Sequence, residues 1–115
     1  MRITIVLALL ALAQQPTGWK DSSPHVTRFI TVGKDYETAK ATWVRLLSKR
    51  YAQDFGPLAQ KYGVIGTPAQ CAEQMQPFVE AGCRYFVMDS IVDVADEHAH
   101  LETIAAEIIP SFRSR

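Results

Sequence analysis

Three groups of residues in this chain have types and spacings that could do chemistry. Gly66-Thr67 lies between a short apolar run and a helix start. Backbone N–H groups at such a junction can hold an anion such as a phosphate, and the same pattern also makes an ordinary helix cap. Asp89 and Ser90 follow four apolar residues, Tyr85 to Met88, which places a carboxylate and a hydroxyl at the C-terminal tip of a strand. Asp89 there could orient a ligand hydroxyl or bond the backbone of the following loop. Asp93, Asp96, Glu97, His98 and His100 gather carboxylates and imidazoles, donor types that Zn²⁺ or Fe²⁺ accept. However, His98 and His100 are two apart at a helix start and point to different faces. No H-E-x-x-H or similar i, i+4 pair is present, so the cluster reads as a solvated, acid-rich helix N-terminus. The chain has no G-x-S-x-G, P-loop, G-x-G-x-x-G or C-x-x-C. These residues alone therefore assign no catalytic and no metal-binding group.

The elements that must position these residues centre on Tyr62 to Gly82. Val64 and Ile65 make a short buried strand that ends at Gly66. Thr67 is a good N-cap, Pro68 suits the first helical position, and Gln70, three residues after Thr67, completes a capping box. Ala72, Met75, Phe78 and Val79 share one face of the helix, and Gly82 supplies its stop. Pro77 lies inside the helix, where a proline costs about 3 kcal/mol, so a kink near Glu73 is expected. The strand over 84–90 shows no polar alternation before Asp89 and reads as buried on both faces, as parallel strands are. Strand, helix and strand here form a βαβ unit.

Upstream, His25 to Gly33 reads as a strand and Asp35 as the N-cap of a helix running to about Phe55. Tyr36, Ala39, Trp43, Leu47, Tyr51 and Phe55 step by three or four along one face of it. Such a stripe is core packing far more often than a cofactor wall. Downstream, a helix from about Glu97 to Ile109 would bury Leu101, Ile104, Ala105 and Ile108, with Pro110 at its end. The fold class is α/β, with three strand–helix units over about 26–55, 62–82 and 84–109.

With 115 residues the chain is one domain at most. Its 48% apolar content favours a folded chain, and twelve basic against twelve acidic residues leave no excess for nucleic acid or an anionic membrane. The only two cysteines, Cys71 and Cys83, would stand about 18 Å apart along a helix, too far for a disulfide. Residues 1–25 form an apolar segment and linker ahead of a domain over 26–115. Met1-Arg2, the apolar run to Ala13 and the Ala11-Leu12-Ala13 site are signal-like. The run is too short to span a bilayer, which takes about 20 residues. A buried strand or helix, or truncation of a longer frame, accounts for it as well. The expectation is a cytoplasmic chain, with export and cleavage after Ala13 as the alternative.

The run G-T-P-A-Q-C-A-E-Q-M-Q-P-F-V-E-A-G-C-R-Y-F-V-M-D, followed by a segment ending I-I-P-S-F-R, resembles the C-terminal end of luciferase-like flavin-dependent monooxygenases. The matching residues are Gly66, Thr67, Pro68, Ala72, Glu73, Ala81, Gly82, Phe86, Val87, Ile109, Pro110, Phe112 and Arg113. The match covers residues 62–113 well and 26–61 loosely. The resemblance implies the last strand–helix units of a (β/α)8 TIM-type barrel, a fold that takes about 250 residues to close. It implies oxidation of a small organic substrate by O₂ with reduced flavin (FMN), or hydride transfer with a deazaflavin (coenzyme F420). Gly66, Thr67, Asp89 and Ser90, at strand C-terminal ends, become the candidate cofactor-binding residues. Most phosphate contacts in that family come from earlier strands that this chain lacks, so the resemblance implies an inactive piece. The alternative is a non-catalytic α/β module that self-associates through open sheet edges.

Overall fold

Strand β1 (His25–Val32) directs Phe29 to one side and Ile30 to the other, so both of its faces need cover. The computed structural model describes residues 25–83 and 85–113. The signal-like run, the linker and Trp19 lie outside these residues. After β1 come α1 (Tyr36–Tyr51), a 3₁₀ turn (Gly56–Leu58), α2 (Ala59–Tyr62), β2 (Gly63–Gly66), α3 (Pro68–Glu80) and β3 (Tyr85–Ser90). A second 3₁₀ turn (Val94–Asp96) leads to α4 (Glu97–Thr103), a π-helical turn (Ile104–Ile108) and α5 (Pro110–Arg113).

The three strands form one parallel sheet in the order β2-β1-β3. Phe29↔Gly63 to Val32↔Gly66 register β1 on β2, and His25↔Tyr85 to Ile30↔Ser90 register it on β3. On one face Ile30, Val64 and Met88 pack with Cys71 and Met75 of α3 and with Ile104 and Ile108. On the other, Ile65 and Ile91 pack with Ala39, Trp43 and Leu47 of α1. The fold is thus α/β, with helices on both sides of the sheet. A (β/α)8 barrel keeps its helices in one outer ring. The three described strands cannot close on themselves, so both of their faces must be buried, and the α1 stripe takes the second.

Asp35 caps α1, its carboxylate accepting from Thr38 N at 2.7 Å. That bond holds the carboxyl below its usual range. The helix ends four residues short of Phe55. Ala52 turns left-handed at φ 55°, and its N–H bonds Ser48 O. Phe55 still joins the core by folding back, with its N–H on Ser48 Oγ and its ring 5.9 Å from Trp43. Tyr51, expected on the buried stripe, is 48% exposed because it lies at the helix end.

The capping box forms as the spacing predicts: Gln70 N donates to Thr67 Oγ1 at 3.2 Å, and Thr67 N donates to Gln70 Oε1 at 2.9 Å. Gly66, at φ +133°, admits it, since a side chain there would run into Gln70. Thr67→Ala should lower stability by about 1 kcal/mol in chemical denaturation. An unchanged midpoint and slope would show that the cap contributes nothing. Pro77 stays inside α3, and Gly82 follows its end at φ +101°.

The last helical segment buries Ile104 and Ile108 as expected and packs Leu101 against the same core, but it also turns His100 inward and leaves Ala105 outside. His100, Ile104 and Ile108, at steps of four, are buried, while Leu101 is half-buried and Ala105 exposed. The π-helical turn adds a residue to one coil of the helix, so the side chains on either side of it change angular position. Cys71 is buried and Cys83 half-buried, both as free thiols. Burial pushes the Cys71 thiol up to about 12, which makes it inert as a nucleophile.

Candidate functional site

All three strands are parallel, so their C-terminal ends share one edge of the sheet. From β1 the chain goes first to β2 on one side, then back across to β3 on the other. The winding therefore reverses between β1 and β3, and ligands of open α/β sheets bind in the crevice outside the strand ends at such a switch point. A crevice of about 280 Å³ opens there, between the first half of α1 and α4, with Thr31, Val32 and Gly33 at its floor.

Local hydrogen bonding explains why the strands part at this point. Ile91 N still bonds Ile30 O at 2.9 Å, but beyond it the chain leaves the sheet. The next rung would join Val32 N to Ile91 O. Thr31 Oγ1 takes Ile91 O instead, at 2.7 Å, and Val32 N donates to Nε2 of His100 at 2.8 Å. The other ring nitrogen, Nδ1, lies 2.6 Å from Ser90 Oγ. Because Nε2 accepts from a backbone N–H, the proton of the neutral ring belongs on Nδ1, which donates to Ser90. The ring is 6% exposed. Burial pulls its pKa down to about 4, with the Asp96 carboxylate opposing in part.

This arrangement places a Ser and a His in contact without making them a catalytic pair. A general base needs a nitrogen lone pair aimed at the hydroxyl. Here the available lone pair is on Nε2 and is occupied by the backbone. His100 is a latch that ties α4 to the separating ends of β1 and β3. The sequence carries a signal for it only in hindsight: His100 stands four residues before Ile104 and eight before Ile108.

The four candidate residues do not converge. Ser90 lies behind the crevice, bound to His100. Asp89 faces the α1 side and pairs with Arg50 at 2.8 Å, tying the strand tip to the end of α1. Gly66 and Thr67 stand at the tip of β2, on the far side of β1 from β3. Their helix start offers little to an anion, since Pro68 has no N–H, Gln70 N is capped by Thr67 and Cys71 N bonds Thr67 O.

The acid–imidazole group is likewise dispersed. His98 is exposed and 3.5 Å from Glu102, whereas His100 points inward. Asp93 makes a two-pronged pair with Arg45, at 2.9 and 3.3 Å, which draws its pKa down. Among the described residues no group of three or more His, Cys, Asp or Glu side chains is placed to hold a metal ion. Asp96 and the Arg45-paired Asp93 line the crevice, and among the described residues no Lys or Arg lines it to meet a phosphate. Among the same residues no helix is long and apolar enough to cross a membrane. Compared with known proteins, the chain matches no family model, no curated protein and no solved structure.

Proposed function

We propose that this chain is the C-terminal portion of a luciferase-like flavin-dependent oxidoreductase of the cytoplasm, and that by itself it supplies strands and helices but no complete flavin site. The separation of Gly66 and Thr67 from Asp89 and Ser90 carries the second half of this reading. Ser90 and Asp89 are committed to His100 and Arg50, and Thr67 to its own helix. The strand, cap, helix and strand built by the motif residues 66–87 support the first half. Among the described residues the crevice at the strand ends offers a flavin phosphate no Lys or Arg in its lining, only Asp96 and the Arg45-paired Asp93. In the whole enzyme, preceding strands would carry FMN or the deazaflavin and most of the substrate contacts.

Titration of the isolated chain with oxidised FMN, reduced FMN and a deazaflavin, followed by fluorescence, is expected to show no saturable binding. Saturation by any of the three would overturn the reading and make Gly66, Thr67, Asp89 and Ser90 the first residues to mutate. The second reading is a non-catalytic α/β module. The layer of helices on each face of the sheet favours it, since each face of the described strands carries its own buried core. Cooperative unfolding of the isolated chain would support the module.

A further inference from the structure

A cleft of about 410 Å³ runs beside β2, and residues from both faces of the sheet line it. Arg28, Gln74 and Phe78 belong to the face that α3 covers, and Tyr36, Ala59 and Ile65 to the face that α1 covers. The backbone of β2 needs nothing from a ligand there. Gly63 N bonds Ala59 O. The Gln74 amide closes Ile65, accepting from its N–H at 2.9 Å and donating to its C=O at 2.6 Å. Among the described residues, the polar groups left to meet a ligand are therefore the Arg28 guanidinium, the Tyr36 hydroxyl and the Gln60 amide.

Arg28 is the one charged side chain that the described residues bring to this lining. Its guanidinium lies over the Phe78 ring, 4.7 Å from the centroid, and Nη1 donates to Thr27 O at 2.8 Å. Phe78 is held in turn by Phe86, edge-on at 6.3 Å. Arg28 is half-buried, yet among the described residues it meets no carboxylate. A guanidinium positioned by an aromatic face, with most of its N–H donors unspent, is set to receive a carboxylate on its fork. One such cation balances one negative charge, and the N–H groups of Gly63 and Ile65 are already taken, so a phosphate dianion finds too few donors. At the other end Glu73 lines an adjoining hollow with Tyr36 and Gln74, which disfavours a second negative group.

We propose that this cleft binds a small aromatic monocarboxylate, with its carboxylate on the Arg28 fork and its ring along Ala59, Ile65 and Phe78. A flat ring matches the apolar wall and has few rotamers to freeze on binding. The end of the ligand nearest Tyr36 carries an uncharged group. Gly66, Thr67, Asp89 and Ser90 do not line the cleft, so this inference stands apart from the flavin reading.

Titration of the full chain with 4-hydroxybenzoate, followed by calorimetry and backbone amide shifts, should saturate at one ligand per chain. The largest shifts should fall at Gly63, Ile65 and Gln74. Hexanoate and inorganic phosphate, an aliphatic monoanion and a dianion, should each bind about tenfold more weakly. Arg28→Gln should weaken 4-hydroxybenzoate about tenfold. Because that variant also loses its contact with Phe78, Gln60→Glu serves as a second one. Gln60 is exposed, so the far-UV circular dichroism should be unchanged, and a carboxylate in the lining should also weaken binding about tenfold. If Arg28→Gln does not fold, Gln60→Glu decides. No saturation by 4-hydroxybenzoate, equal binding of hexanoate or phosphate, or undiminished binding by either folded variant would overturn the proposal.

Discussion

Trp43→Ala should lower the unfolding free energy by about 4 kcal/mol, the cost typical of emptying a large aromatic site in a core. Trp43 is fully buried, and its indole N–H donates to Phe29 O at 3.0 Å, so its ring joins α1 to the central strand. It packs edge-on against Phe55, which closes the end of that core after the helix has stopped. A domain of this size holds about 5–10 kcal/mol in all, so the variant should be close to half of its denaturation midpoint. Trp43→Phe keeps most of the apolar volume and removes the donor, and should lose about 1–2 kcal/mol. Urea titration followed by circular dichroism reads both. If Trp43→Ala melted with wild type, α1 would not be the cover of this face.

Acid should weaken the fold in a window set by His100. The ring's folded pKa of about 4 lies below its ordinary 6.5, so the unfolded chain takes up the proton first as pH falls. Its contribution is therefore complete above about pH 6.5, declines between 6.5 and 4, and is gone below. The gap corresponds to about 3 kcal/mol. Protonation forces a hydrogen onto Nε2, where Val32 N already donates, and so opens the latch between α4 and β1. Asp35 and Asp93, whose pKa values are lowered, contribute stability that fails only as pH drops below the usual carboxylate range. The two effects thus separate along the pH axis. His100→Gln, whose amide can accept from Val32 N and donate to Ser90, should flatten the profile from pH 6.5 to 4. A wild-type profile already flat there would show that the ring is not held neutral.

What the sequence disclosed follows the range of the interactions involved. The Thr67–Gln70 box, the Asp35 cap and the stop at Gly82 each depend on residues within a few positions, and each was legible. Strand order was not. The βαβ pattern says that 62–66 and 84–90 run parallel, but β1 stands between them through pairings up to 60 residues apart. His100 was hidden for a related reason. Helical periodicity places Leu101, Ile104, Ala105 and Ile108 inward; across the π-helical turn Ala105 falls outside, Leu101 stays half-buried, and His100 lines up with the buried Ile104 and Ile108. The backbone N–H that makes its burial tolerable exists only because β3 leaves the sheet after Ser90. Asp89, read as a ligand group or a loop cap, instead meets Arg50, a residue 39 positions away.

The place of β1 in the middle of the sheet has a consequence for synthesis. Among the described strands its residues leave the ribosome first, yet β3 pairs with it 60 positions later. At about 5–20 residues per second, the β3-facing side of β1 waits about 3–12 seconds for its partner. During that interval Val26, Phe29 and Ile30 stand in a nascent chain whose central strand is half built, so the exposure is greatest in translation and ends only when Ser90 has emerged.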